Sequence, residues 1–241
     1  MRESILVLLV GCFVVTGCSS SGPVAIDGED RNVGFPEGEI VVTLGSGSRQ
    51  HPGREYSTIY AGYTRSEGQF EQTLTNREFV NVDGTEIHGP VTLDNKARLD
   101  VAYLGMAGHS YISESFEWDG GGGLGFLGLD FTTTTGDQSS TTHDSGLNLH
   151  GSLGLAYHIS PEFGIEGNMK LYMPLLFLGE VDSVTLIDQR VQIFVTPTES
   201  LRLFAGYRTW RYAYEETYNL FDRSDINVVF SGPTAGVVLR F

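Results

Sequence analysis

The sequence predicts an all-β fold: a single antiparallel up-and-down sheet closed into a transmembrane barrel of about eight strands, with ten as the alternative. Three observations carry this expectation. The chain of 241 residues contains 31 Gly, 11% aromatic residues and only 19% charged residues. So much Gly disfavours helices, while Thr, Val, Tyr and Phe favour strands. Apolar and other residues alternate with a period of two along most of the chain, as in strands with two unlike faces. The connections between these segments alternate between short and long, the habit of outer-membrane barrels.

Eight strands are expected, near 56–66, 95–107, 121–133, 145–159, 163–175, 183–196, 201–214 and 226–241. Each exceeds the ~9–11 residues a tilted strand needs to cross a bilayer. The clearest is 147–159. Leu147, Leu149, Leu153, Leu155, Tyr157 and Ile159 share one face, and Asn148, His150, Ser152, Gly154, Ala156 and His158 share the other. In the next segment Phe163, Ile165, Met169, Leu171 and Met173 oppose Glu166, Asn168, Lys170 and Tyr172. Alternation is less regular in the rest. Ala97, Leu99, Val101 and Tyr103 oppose Arg98 and Asp100; Leu127, Leu129 and Phe131 oppose Gly128 and Asp130. Near the end Leu201, Leu203, Ala205 and Tyr207 oppose Arg202 and Arg208, and Ala235, Val237, Leu239 and Phe241 oppose Arg240.

The polar face of these strands holds Gly, Ala, Ser and Thr with isolated charges, which suits a cramped interior rather than a solvated exterior. An apolar outside and a polar inside is the arrangement of a barrel whose outer solvent is lipid. Short links fall at 160–162 and 197–200, and longer polar links at 67–94, 134–144, 176–182 and 215–225. The long links hold the acids Glu67, Glu71, Glu78, Asp83, Glu86, Asp137, Asp144, Glu215, Glu216, Asp222 and Asp225. An even strand count places both barrel ends on one side. Residues 39–45 and 77–82 also read as strands, which is the basis of the ten-stranded alternative.

The organisation expected is a signal peptide at 1–17, a lipidated N-terminus and flexible linker at 18–38, and a barrel at 39–241. Arg2 precedes an apolar run from Ile5 to Val15, of signal-peptide rather than membrane-anchor length. Residues 19–38 carry Ser, Gly, Pro and acids without periodicity. Cys12 and Cys18 are the only cysteines, so the body holds no disulfide. The net charge of −15 excludes nucleic-acid binding through phosphate neutralisation.

Two resemblances add to this reading. Val15-Thr16-Gly17-Cys18 resembles a bacterial lipobox, which implies acylation of Cys18 and cleavage before it; Ser19 fits delivery to the outer membrane. Val237, Leu239 and the terminal Phe241 resemble the C-terminal signature read by the barrel assembly machinery, and residues 39–241 are similar to the small OmpA-type and OmpX-type outer-membrane barrels. The resemblance implies a bacterial outer-membrane location with the N-terminus in the periplasm. It implies outer-membrane lipids and the assembly machinery as partners, and it names no external one.

A barrel of eight strands is just filled by its own side chains. An interior polar network of Arg98, Asp100, Glu166, Lys170, Asp188, Arg190, Arg202, Arg208 and Arg240 is expected, paired because unpaired buried charge is costly. His143-Asp144-Ser145 contains the residue types of a nucleophilic triad, but consecutive side chains point apart and cannot form a relay. His109-Ser110 offers no stronger signal. Gly120-Gly121-Gly122-Gly123 lacks the Lys-Ser/Thr of a phosphate loop and suits a bend or close packing. Tyr207, Trp210, Tyr212, Tyr214 and Tyr218 suggest a membrane-interface girdle. No cofactor or metal site is expected, since the acids lack EF-hand spacing. The function these features predict is a non-enzymatic barrel with acidic surface loops, structural or interacting with something outside. The alternatives are a narrow channel, a lipid-modifying enzyme and a soluble lipocalin-like lipoprotein.

Overall fold

The computed structural model describes residues 22–23, 26–44, 55–76, 78–82, 85–136, 138–175, 183–219 and 222–241. Among them the chain is all-β, with thirteen strands. Two short strands come first, β1 (Gly22–Pro23) and β2 (Ile26–Asp30), then β3 (Phe35–Leu44) and the long β4 (Glu55–Leu74). A small hairpin follows, β5 (Glu78–Val82) and β6 (Thr85–His88). The remainder is a meander: β7 (Val91–Tyr111), β8 (Phe116–Thr135), β9 (Gln138–His158), β10 (Phe163–Pro174), β11 (Ser183–Thr198), β12 (Leu201–Asn219) and β13 (Asp222–Arg240).

Nine strands, β3, β4 and β7 to β13, form a closed ring, because β13 pairs with β12 on one edge and with β3 on the other. The expected eight strands are all present, and the ninth is the 39–45 segment, which starts earlier, at Phe35. An odd ring cannot be wholly antiparallel. The seam is parallel, with Thr234 opposite Phe35 and Arg240 opposite Val41. β2 continues that seam beside Ile226–Phe230. The segment expected as a linker therefore contributes strands, since its Ile26, Val33 and Phe35 are buried inside the barrel.

The odd count separates the two ends of the barrel. β3 runs in the same direction as β13, so the chain enters the ring at the end opposite Phe241. The even-count expectation, with both ends on one side, is corrected by this parallel seam. At the Phe241 end lie the short turns 112–115, 159–162 and 199–200. At the other end the hairpin β5–β6 and strand β1, which pairs with β5, form a cap.

The long polar links shrink correspondingly. Strand β4 reaches Leu74 and β8 runs to Thr135, so polar sequence expected as loop is strand extending the barrel. Between β8 and β9 a tight turn remains, where Gly136 adopts φ 54, a left-handed conformation that disfavours side-chain-bearing residues.

The wall has two polarities along its axis. Toward the Phe241 end the outer face is apolar: Leu149, Leu153, Leu155 and Tyr157 are exposed, Leu153 at 57%. Toward the capped end the outer face carries Arg65, Glu67, Glu71, Asp94, Lys96, Arg98, Asp130 and His143. The change falls on one row of paired residues: Tyr63 opposite Ala102, Ala102 opposite Phe126, and Phe126 opposite Leu147. Two residues higher the row reads Arg65, Asp100, Gly128, Ser145. The interior inverts in the opposite sense. Leu99, Val101 and Phe131 are fully buried at the capped end, while His150, Lys170, Arg190 and Arg202 are buried at the turn end.

Candidate functional site in the polar half of the interior

The capped half is filled. Phe35, Leu74, Val80, Ile87, Leu93, Leu99, Phe131, Leu186, Trp210 and Phe230 belong to one continuous apolar core inside the barrel. Tyr172 packs its ring against Gly125, where an added Cβ would clash. Burial of this order of apolar area is the ordinary source of stability for a soluble domain.

A charged layer closes the lower boundary of that core. The Arg208 guanidinium donates from Nε and Nη2 to the two Asp188 oxygens at 2.8 and 2.6 Å, and from Nη1 to Glu37 at 2.9 Å. Arg190 donates to the same Glu37 oxygen at 2.6 Å. The Tyr103 hydroxyl lies 2.5 Å from Glu37 and 2.7 Å from Glu39, with one proton to donate between them. Arg208 faces both halves of the interior: its guanidinium also lies 4.9 Å from the Trp210 ring and 5.8 Å from the Phe35 ring. Such a fully buried guanidinium is retained at low cost only because its donors are met by carboxylates.

Below this layer lies a cavity of about 120 Å³. Glu166 accepts from Arg202 at 2.7 Å on one side of it. Lys170 Nζ stands 3.8 Å from Glu39 and 3.5 Å from the Tyr103 ring centroid. Across the cavity Glu117 is the hub of a second cluster. It accepts from the Tyr56 hydroxyl at 2.5 Å, bonds His109 Nδ1 at 3.0 Å and bonds His158 Nε2 at 2.9 Å. His109 Nε2 lies 2.9 Å from Thr58 Oγ1, and the His109 ring stacks on Tyr56. β4, β7, β8 and β9 set these side chains on one interior wall: Tyr56 is opposite His109 across β4–β7, and Glu117 is opposite Ala156 across β8–β9.

Seven of the nine residues expected in the interior network are inside: Glu166, Lys170, Asp188, Arg190, Arg202, Arg208 and Arg240, the last on the cavity wall. Arg98 and Asp100 are on the outer face and need correction. β7 crosses the polarity boundary near Ala102, so its apolar Ala97, Leu99 and Val101 turn inward where the core lies and their charged neighbours turn out to water. There Asp100 bonds Arg65 at 2.6 Å and Arg98 at 3.2 Å, and accepts from Tyr63. Arg98 also reaches Asp130 at 3.5 Å, and His143 Nδ1 bonds Asp130 at 2.8 Å, so the belt crosses four strands.

The girdle expectation is corrected for two residues. Trp210 and Tyr212 are buried in the core, whereas Tyr207 is exposed on the wall; the side chains of Tyr214 and Tyr218 lie outside the described ones. Ser145 and His143 are on the outer face, apart from the interior clusters. Gly121 and Gly123 lie where an added Cβ would meet the backbone of β7, in keeping with close packing. Val237 and Leu239 face outward, and Phe241, 72% exposed, closes the seam by donating its N–H to Val41 at 3.0 Å. Cys18 lies outside the described residues.

Residues missed by sequence reasoning are Glu37, Glu39, Tyr56, Thr58 and Glu117; His158 is on the expected polar face, and only its pairing with Glu117 was missed. Glu37 and Glu39 sit at alternate positions in a segment with a clear strand pattern. That signal was present, and only the assignment of residues before 39 to a linker hid the first of them. The pairing of His109 with Glu117 has no local signal, because it depends on the register of the β7–β8 hairpin. No protein family, no curated protein and no solved structure matches this chain.

Proposed function

We propose that this chain is an outer-membrane barrel whose turn-end half lies in the bilayer and whose capped half projects from it as a rigid, acidic platform. One observation carries this reading: the outer face changes from apolar to charged along a single row of paired residues on four neighbouring strands. Lipid on one side of that row and water on the other account for both polarities together. On β9 the apolar stretch from Leu147 to Tyr157, at ~3.3 Å per residue and ~45° tilt, spans roughly 23 Å, close to the ~25 Å apolar band of such barrels. The outward Leu149, Leu153 and Leu155 count against a lipocalin-like reading, which needs them inside. The apolar core above Arg208 counts against a conducting channel.

In this reading residues 1–17 direct export, Cys18 carries lipid, and the assembly machinery reads Val237, Leu239 and Phe241. An assembly signal at the periplasmic rim puts Phe241 there, and the parallel seam then brings the N-terminal segment out on the external, capped face. That reverses the periplasmic N-terminus expected from an even strand count. The role is structural or interactive, through the acidic exterior of the platform. Membrane fractionation tests the reading. The protein is expected to remain with outer-membrane vesicles after carbonate washing and to show heat-modifiable migration in SDS gels. Release by carbonate without detergent contradicts it.

A further inference from the structure

The cluster around Glu117 contains an arrangement that a merely space-filling network does not require. Thr58 Oγ1 lies 2.9 Å from His109 Nε2, and His109 Nδ1 lies 3.0 Å from Glu117 Oε1. Hydroxyl, imidazole and carboxylate stand in line, each within hydrogen-bond distance of the next, which is the geometry of a nucleophile, its base and the group that orients the base. A carboxylate only accepts, so it selects the tautomer with hydrogen on Nδ1. Nε2 is then the acceptor facing the Thr58 hydroxyl. Glu117 is itself held by the Tyr56 hydroxyl and by His158, which fixes the orienting end of the relay.

Thr58, His109 and Glu117 all line the cavity, so the relay is open to a small molecule rather than sealed in the wall. On the same cavity wall, Arg202 and Arg240 each present a buried Nε without a hydrogen-bond partner. The two residues line the cavity, so their positive charge faces the space in which an oxyanion would develop. Val41, Ala107, Ala156 and Val238 supply a small apolar stretch of lining. The cavity, about 120 Å³, suits a small acyl group.

We propose that Thr58, His109 and Glu117 form an acyl-transfer site that cleaves short-chain esters. The Thr58 oxygen adds to the ester carbonyl carbon while its proton passes to His109 Nε2. The tetrahedral adduct collapses, the bond to the alkoxy group breaks, and that group takes the proton from Nε2 and leaves as an alcohol. Water then adds to the acyl-threonine through the same base and releases the carboxylic acid. No oxidant or further reactant is needed. The site is built inside the barrel and does not depend on whether lipid or water surrounds it, so it can fail while the membrane reading stands.

The test uses the full chain folded in detergent micelles, with p-nitrophenyl acetate as substrate and a fluorophosphonate as the trapping probe. Thr58→Val removes the hydroxyl with little change of shape, and His109→Gln removes the base. Each is expected to lower turnover by about 10²–10⁴-fold, the usual worth of a positioned general base and nucleophile, while Thr58→Ser retains it. Mass spectrometry is expected to find the phosphonyl adduct on the peptide holding Thr58. Heat-modifiable gel migration establishes that each variant is folded. Wild-type turnover no greater than that of folded Thr58→Val overturns the proposal, as does an adduct found on any other residue.

Discussion

The two halves of this barrel are built from the same strands with opposite rules. In the capped half, Leu99 and Phe131 face inward at 0% exposure and Arg98 and Asp130 face out. In the turn-end half, Leu153 and Leu155 face out and Ser152, His158 and Lys170 face in. Across the boundary on β4, β7, β8 and β9 the strand faces keep their alternation; only the assignment of apolar residues to a face changes, and it changes at one height. Alternation identifies strands, but the solvent outside and the filling inside decide which parity is apolar. Where the interior is an apolar core, the outside must be polar to remain in water. Where the outside meets lipid, the interior is free to hold charge, provided it is paired.

Substitutions break this comparison at different depths. The largest effect is expected at the layer between the halves. Arg208→Leu leaves Asp188 buried without its two-pronged partner and takes one of two guanidinium groups from Glu37, and removal of one member of a buried pair costs about 3–5 kcal/mol. Urea unfolding read by the heat-modifiable shift checks it, and an unchanged midpoint would show that the layer is solvated.

Next come the two filled faces. Phe131→Ala in the capped core is expected to destabilise by about 3–5 kcal/mol, through lost burial and the cavity left behind. Leu153→Ala, at the same scale of truncation but on the outer face of the other half, is expected to change unfolding in micelles far less. Equal losses at both sites would mean that the two halves are filled alike. An outer-face charge separates them from the lipid side. Leu153→Arg near the middle of the apolar band is expected to cost about 2–4 kcal/mol in bilayers, whereas Thr141→Arg, on the polar outer face of the same strand, stays within about 0.5 kcal/mol. Folding yield into vesicles measures both.

The smallest effect belongs to the charged belt. Burial pushes the Asp100 carboxyl up, but hydrogen bonds from Arg65, Tyr63 and Arg98 outweigh it and hold the group below the ordinary aspartate value. A carboxylate lowered in the folded state stabilises above its ordinary value, and that contribution is lost as pH falls through the folded one. Stability should therefore decline in acid, below the ordinary aspartate range. Asp100→Asn should flatten that decline, with an effect at neutral pH of no more than about 1 kcal/mol for so exposed a belt. An acid limb unchanged in Asp100→Asn assigns the decline to other carboxylates.

The comparison also explains what the sequence made legible. All eight expected strands, β4 and β7 to β13, could be read from alternation, because a period of two survives the change of polarity. The direction of the faces was legible on β9 to β13, and on the first part of β4, where Ile59 and Tyr63 are outward and Tyr60 and Thr64 inward. On β7 and β8 the same rule, carried past Ala102 and Phe126, assigned Arg98 and Asp100 to the inside. Their pattern alone does not distinguish an apolar face turned to lipid from one turned to a core. The ninth strand was visible at Ile40, Val41 and Val42, but its parallel partner is almost two hundred residues away in the chain, and no local pattern specifies such a seam. The Thr58–His109–Glu117 alignment was not legible for the same reason: it exists only once β4, β7 and β8 are in register.

The central claim is that one row of residues separates lipid from water on the barrel's outer wall. It is tested most directly on β9, by placing an environment-sensitive fluorophore on single cysteines at positions 141, 143, 149, 153 and 155 of the chain carrying Cys12→Ser and Cys18→Ser, reconstituted in phospholipid vesicles. Blue-shifted emission quenched by brominated lipid is predicted at 149, 153 and 155, with solvent-like, unquenched emission at 141 and 143. Solvent-like emission at all five positions would contradict the account.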